Sequence, residues 1–574
     1  MEQNASMSSI EKSAEQQVER QHDEIAEAQQ VTARSWLFAL LGAMVYVAIS
    51  FHLSATAIIR TSWATTFNQA GLSVWLINTI SVFQACLGPP LMFSSDLFGR
   101  RNILVVATAI ASAGCAVGSR STSFGMAVAG QSMAGVGMAC VGAAYAIPSE
   151  VFPRKSRGAV QAILSVAASV AGAVGAFVAG ALLKNDAANG WHKVLYVSTA
   201  LFGTAFILLA IFYFPPARKN QFSHLTRAEK SAMLDYVGYV LIIAALCTFL
   251  TGTTYGGIVG WRAGKTLGPL ITGIVLMIVF GVWEWKGTRQ GLLHHGMFKG
   301  GRNFPVALAA MALEGVIFFN ILAFVPVAAS ALWQPQDSFL ASAYIAPFYL
   351  ASIPFFFLIG WYTYKFKDFR GPLIVGYAIY VISCACLSTA GREDGKLAWV
   401  YVTLSGIGFS APISLLVAVA QLAVPGEFIG ACSALMVSAR GLGGSIGTAI
   451  YGAILGSKIS ANIANKIAEG AFKGGLSPAN APQVLPQLIP LVASQNPGLI
   501  QSAFRLPGVT PPMVLGAVHG MQDAVAEGLK YVFIAGAAFA AAGVLSIFAL
   551  ASSKESLTAV VDAPAQETGD ANKA

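Results

Sequence analysis

The chain has 574 residues, of which 56% are hydrophobic and only 11% charged, with a formal net charge of +9 and a mean hydropathy of +0.65. Soluble domains carry about 25% charged residues, so this composition cannot cover a water-exposed surface and excludes an ordinary soluble protein. The apolar residues fall in blocks of roughly 18–25, the length that crosses a bilayer; the basic excess sits in the short loops between them, which reads as membrane topology and excludes nucleic acid as a partner.

Residues 1–34 form a polar stretch with the runs Glu15-Gln16-Gln17 and Gln29-Gln30 and no small-residue cleavage site. They read as a cytosolic tail, not a signal peptide, and the sequon Asn4-Ala5-Ser6 within them is expected to stay unused. Fourteen helical spans are expected near 35–58, 73–93, 102–119, 124–147, 160–183, 193–214, 236–256, 266–286, 305–330, 341–361, 371–390, 397–421, 427–455 and 530–551. Six spans (35–214), a charged linker (215–235), two extra spans (236–286) and a second six (287–551) make the layout of a transporter in two halves, all-α and polytopic. A tail, 552–574, follows.

An even count puts both termini on one side. With the termini in the cytosol, the inward short loops carry Arg100, Arg101, Arg154, Lys155, Arg157 and further Lys and Arg through Arg370. They hold roughly twice the basic residues of the outward loops, so cytosolic termini are expected. One outward segment is long, 456–529. Its prolines (Pro478, Pro482, Pro486, Pro490, Pro497) and amphipathic stretches such as Ile459 to Ala468 predict small interfacial helices and turns. All seven cysteines lie inside apolar blocks and read as small packing residues, not disulfides or metal ligands.

An ionisable group inside a span is costly and often functional. Glu314, about ten residues into the ninth span, is a candidate proton carrier or a hydrogen-bonded structural group. Arg440, in the glycine-rich Ser438-Ala439-Arg440-Gly441-Leu442-Gly443-Gly444 of the thirteenth, is placed to pair with a carboxylate, to bind an anionic substrate group or to snorkel. His52, Gln84 and Gln131 (spans one, two and four) are candidates for a polar cavity lining or for helix-to-helix hydrogen bonds, as is Tyr46. No phosphate-cradling G-x-x-x-x-G-K-[ST], catalytic set or metal-ligand pattern is present. The expectation is therefore a transporter without cofactor or metal, driven by a gradient or by its substrate.

Between spans two and three, Asp96-Leu97-Phe98-Gly99-Arg100-Arg101 resembles the G-x-x-x-D-R-x-G-R-R loop of the major facilitator superfamily, with Met92 and Leu97 departing from it. The resemblance implies the major facilitator fold, and a bracing role between the halves for Asp96, Gly99, Arg100 and Arg101. Leu234-Asp235-Tyr236-Val237-Gly238 resembles the L-D-x-x-G entry to the extra spans of fourteen-span members, assigning Asp235 and Gly238. The segment Ser149 to Arg157, with Glu150 and Arg157, is similar to the S-E-x-x-P-x-x-x-R of fungal trichothecene-efflux-pump-like transporters, as are span thirteen and Leu506-Pro507-Gly508-Val509-Thr510. Drug–proton antiporters usually carry an Arg where Gln131 stands, an Asp in span one, and G-P-x-x-G-G where this chain reads Gly175-Ala176-Phe177-Val178-Ala179-Gly180.

The resemblance implies a monomeric fungal transporter in the plasma membrane, with vacuolar or vesicular membranes as alternatives. Its expected partners are the lipid bilayer, a small-molecule substrate and a proton. Export of a secondary metabolite, mycotoxin or drug-like molecule by alternating access is the leading expectation. Siderophore–proton symport is the alternative, and a sensor that has lost transport is a third class.

Overall fold

The computed structural model describes residues 32–69, 72–215, 226, 229, 234–287, 295–298, 301–334, 337–425, 428–494 and 497–551. Most of the expected tail 1–34, most of the linker 215–235 and the tail 552–574 lie outside the described residues. Among the described residues, fourteen helices are long and apolar enough to cross a membrane. They are α1 (Ala33–Thr66), α2 (Val74–Ser95), α3 (Arg100–Ser119), α4 (Phe124–Val151), α5 (Arg154–Asn185), α6 (Gly190–Phe212), α7 (Tyr236–Thr253), α8 (Gly264–Gly287), α9 (Asn303–Trp333), α10 (Ser338–Phe366), α11 (Arg370–Leu387), α12 (Gly395–Leu422), α13 (Ile429–Lys473) and α14 (Pro511–Ile547). Number and order match the sequence expectation.

Their starts follow local chemistry. Thr32 opens α1 with a capping box to Ser35, Ser123 caps α4 by accepting from the Met126 amide, and Asp337 caps α10 by accepting from the Phe339 and Leu340 amides. These oxygens satisfy orphan N–H groups that a bilayer cannot hydrate.

The largest departure concerns segment 456–529, expected to lie outside the membrane as one long outward loop. It is not a string of small interfacial helices: α13 runs on to Lys473 and α14 begins at Pro511. At 1.5 Å per residue, the 45 residues of α13 extend for about 68 Å, far beyond a bilayer core of about 30 Å. The stretch Ile459 to Ala468, expected to be interfacial, is the continuation of α13. Its apolar stripe is covered by protein instead of lipid. Ile467, Ala471, Val514, Ala517 and Met521 form a core of their own with Val484, Leu488 and Val492 of the short helix Ala481–Ala493. A further short helix spans Pro497–Ala503. The result is a cap with a separate hydrophobic core, built on the extended ends of α13 and α14.

Two of the bundle's seams are long antiparallel pairs. Helix α5 lies along α10 from end to end: a side chain at Gly158 would press on Thr363, one at Gly172 on Tyr349 and one at Gly180 on Ser342. Helix α2 lies along α13, where Gln84 donates to the Val437 carbonyl (3.2 Å) and Thr448 bonds Asn78 (3.2 Å). Helices α7 and α8 pack on each other, and α7 also packs on α2 and α13. There the thiols of Cys86 and Cys247 approach to 3.6 Å; all seven cysteines are free. Helix α9 meets α13 backbone to backbone, since a Cβ at Gly315 would strike the Arg440 carbonyl and one at Gly443 the Ala312 carbonyl. Small residues that admit such approach are what hold helices together where lipid removes the hydrophobic drive.

Gly443→Val should therefore lower the thermal midpoint of the purified protein by several degrees, the cost of forcing about 1–3 kcal/mol of overpacking into a filled seam. Gly452→Val, where an added Cβ meets nothing within 4 Å, should leave the midpoint unchanged.

Candidate functional site

A cavity lies inside the bundle. Its wall takes Tyr46, Ile49, Ser50 and Leu53 from α1, Gln84 from α2, Ser165 and Ser169 from α5, Phe318 from α9, Tyr349 from α10, Phe409 from α12 and Arg440 from α13. Met138 and Val141 of α4 also line it, on either side of Cys140, where α4 is interrupted between the helices Phe124–Ala139 and Val141–Val151. The wall is mostly aromatic and aliphatic with a few polar groups, the usual make-up of a small-molecule site.

Among the described residues, Arg440 is the one charged residue of the wall. The guanidinium donates from Nε to Glu314 Oε2 (2.7 Å) and from Nη2 to Glu314 Oε1 (3.3 Å), a two-point fork. It also lies over the Phe318 ring at 4.0 Å and within 5.8 Å of Phe409. The planar cation thus satisfies a carboxylate along its edge and aromatic faces above. Glu314 is fully buried and stands behind Arg440, not on the wall. A buried pair of this kind is neutral as a whole, and removing one partner leaves a costly lone charge.

The other sequence-singled residues divide. Gln84 lines the cavity beside Arg440 while tying α2 to α13. His52 and Gln131 bond each other (Nε2 to Oε1, 3.0 Å), both buried and away from the cavity wall; His52 also faces the Cys115 thiol at 3.7 Å. Tyr46, on the wall, accepts from the Tyr145 hydroxyl at 2.6 Å.

At the end that carries the termini, Gly99 takes φ 94° between α2 and α3, a left-handed conformation that a side chain disfavours. Arg100 and Arg101, the first two residues of α3, reach different neighbours. Arg100 pairs with buried Glu150 of α4, and Arg101 donates to the Ala210 carbonyl of α6 (2.6 Å) and lies over the Phe214 ring. These bonds run among the first six helices. The Asp96 side chain lies outside the described residues. Arg157 makes the crossing instead: Nε donates to the Ser149 carbonyl (3.2 Å) and Nη1 to the Gln421 carbonyl at the end of α12 (3.1 Å). Asp235 caps α7 by accepting from the Gly238 amide (2.8 Å) and accepts from the Trp283 indole of α8 (3.0 Å), so Asp235 and Gly238 fasten the α7–α8 pair.

At the opposite end, Lys184 of α5 pairs with Asp337 (2.8 Å). Lys184 and the Leu340 amide hold the Asp337 carboxyl below the usual carboxylate range, so this exposed pair persists as pH falls until that lowered value is passed. Arg60 of α1 donates from Nη2 to the Ala323 carbonyl of α9 (2.9 Å). Arg60 lies just past the expected first span, 35–58, but inside the 34-residue helix that forms it. The span-five positions Gly175 and Gly180 press on Phe51 of α1 and Ser342 of α10, so close packing survives there without the proline.

The family model described as the Major Facilitator Superfamily matches residues 38–448. The chain belongs to the Major Facilitator Superfamily. It is thus a multi-pass membrane protein of a transporter family whose members carry small molecules. It is 24% identical to the MFS-type transporter ucsD of Acremonium sp over 422 residues, 73% of this chain and 70% of that one. It is 22% identical to the trichothecene efflux pump TRI12 of Fusarium sporotrichioides, over 62% of this chain and 60% of that one. The fold is like that of an auto-inhibited POT family peptide transporter (TM-score 0.54, 12% identity, 89% of this chain and 96% of that one).

The α5–α10 seam yields a direct check. The Cβ of Ala159 lies 3.7 Å from the place a Cβ at Gly360 would take, inside the window of about 3.5–4.5 Å for a disulfide. The Ala159→Cys, Gly360→Cys double variant should cross-link on mild oxidation, read as loss of two reactive thiols by mass spectrometry. Persistence of both thiols would place α5 and α10 further apart than described.

Proposed function

We propose that this protein exports an apolar small molecule, a secondary metabolite or toxin, by proton-driven alternating access. The observation that carries the reading is the forked Arg440–Glu314 pair set into the wall of an aromatic cavity. An ion pair facing a substrate cavity has two uses at once. While Glu314 is ionised, Arg440 is neutralised and held on Phe318. When a proton reaches Glu314, the fork loses its charge and Arg440 is released toward the cavity. Because Glu314 sits behind Arg440, the protonation state of Glu314 sets whether the guanidinium is open to cargo, which links the two binding events. The relatives named as efflux pumps support the outward direction for cargo, and nothing comparable supports siderophore uptake.

In this reading the chain is a monomer with two six-helix halves, α1–α6 and α9–α14, and α7–α8 as an added pair. Asp96, Gly99, Arg100 and Arg101 stiffen the cytosolic end of the first half, and Arg157 closes that end against α12. His52 and Gln131 hold α1 to α4, and Gln84 orders the wall beside Arg440. Both termini face the cytosol, and the membrane is the plasma membrane.

Glu314→Gln keeps the shape and hydrogen-bonding capacity of the side chain but cannot carry a proton. Proton-driven transport in sealed vesicles should fall at least tenfold while the variant still reaches the membrane. Flux and pH dependence equal to wild type would remove Glu314 from the coupling. A tag placed after Ala574 should be labelled only once cells are permeabilised; labelling of intact cells would invert the orientation. In the native host, deletion of the gene should raise a metabolite inside cells and lower it in the medium.

A further inference from the structure

Arg60 of α1 is a second buried cation, and it lacks the carboxylate partner that Arg440 has. It is 4% exposed. One terminal nitrogen, Nη2, donates to the Ala323 carbonyl; the other, Nη1, is buried with no hydrogen-bond partner. Among the described residues no carboxylate pairs with it. A guanidinium offers a fork matched to a carboxylate, and here half of that fork is unfilled.

Its position gives the vacancy a meaning. Tyr46, Ile49 and Leu53 mark the face of α1 that lines the cavity. Arg60 continues that face at i+7 from Leu53, about 10 Å further along the helix. It lies toward the end opposite the termini, where it spans from α1 to α9. Among the described residues no acidic side chain lines the cavity, and the charge of Arg440 is cancelled by Glu314. Arg60 is therefore an uncancelled positive charge about 10 Å beyond the cavity wall along α1.

A lone buried charge is costly unless it is paired. In the state described, a backbone carbonyl supplies only part of the pairing. Parting α1 from α9 removes that carbonyl and leaves the whole fork open.

We propose that Arg60 is a specificity-determining residue that receives the anionic group of the cargo at the outer end of the path, so that the cargo is an organic acid, a carboxylate or acidic phenol on an apolar body. The proposal rests on the reading that the cavity carries cargo. The anion takes the place of the Ala323 carbonyl, so its arrival favours parting of α1 and α9 and its departure allows them to rejoin.

The test uses two xanthene dyes of similar size and opposite charge, carboxyfluorescein (anionic) and rhodamine 123 (cationic), with the full-length protein in liposomes. Wild type should move carboxyfluorescein in preference to rhodamine 123. Arg60→Gln should raise the KM for carboxyfluorescein roughly tenfold or more, the scale of a lost charge-assisted bond, and leave that for rhodamine 123 unchanged; Arg60→Lys should recover part of the loss. A wild-type preference for rhodamine 123, or equal slowing of both dyes by Arg60→Gln, overturns the proposal. Thermal unfolding of the wild type gives a reading that needs neither variant nor transport: carboxyfluorescein should raise its midpoint more than rhodamine 123 does, and absence of that difference overturns the proposal too. Selective stabilisation by carboxyfluorescein without movement of either dye would count against export and leave the anion site standing. Movement of rhodamine 123 alone would do the reverse.

Discussion

Lipid tails are as apolar as leucine, so burying leucine between two membrane helices gains little over leaving it in the bilayer. What remains to hold a bundle together is close packing and the hydrogen bonds it admits. Helix α13 is where this chain meets that constraint. It presents Gly443, Gly444 and Gly447 to α9, and Ser438 and Gly441 to α2. Because α9 and α13 touch through their backbones, Glu314 and Arg440 come within fork distance with both side chains shielded. Separate those backbones by the width of one methyl group and the pair would either stretch or admit water.

The two ends of the bundle are closed by different chemistry. At the end carrying the termini, the crossing from α5 to α12 runs through Arg157, fully enclosed and bonded to two backbone carbonyls. At the opposite end, the crossings are the exposed Lys184–Asp337 pair and the single bond of Arg60. Exposed ion pairs contribute about 0–1 kcal/mol, whereas buried charged donors such as Arg157 and Arg60 contribute more. Each end thus keeps one buried arginine across the seam, with two carbonyl bonds at the first end and one at the second. Each end has to open in turn for cargo to cross, and the chain has made the two openings unequal.

Much of this was legible in the sequence. Span number and order follow from apolar block length, and the rare charges Glu314 and Arg440 stood out because a bilayer penalises each one. Their pairing was one of the alternatives the sequence left open, since residues 126 apart have no fixed relation until α9 and α13 dock. The far reach of α13 was not legible. A hydropathy reading stops where the stripe turns amphipathic, near residue 455, but an amphipathic stripe needs only one apolar partner, and α14 together with the short helix Ala481–Ala493 supplies it. Thr510 followed by Pro511 and Pro512 was a usable signal, since proline favours the first turn of a helix. Arg60 was passed over because it fell at an expected span boundary, where an arginine ordinarily reaches water.

An α-helix of 45 residues with no break between Ile429 and Lys473 is a lever. One part of it sits among the helices around Arg440, and the other carries the cap. A tilt of α13 by a few degrees at the cavity displaces the cap, some tens of ångströms away, by several ångströms, without any change in the cap's own packing. The cap is thus a pointer whose position reads out the state of the site beneath it. A binding protein raised against the seam between cap and bundle would hold that pointer, and with it the transporter, in one conformation.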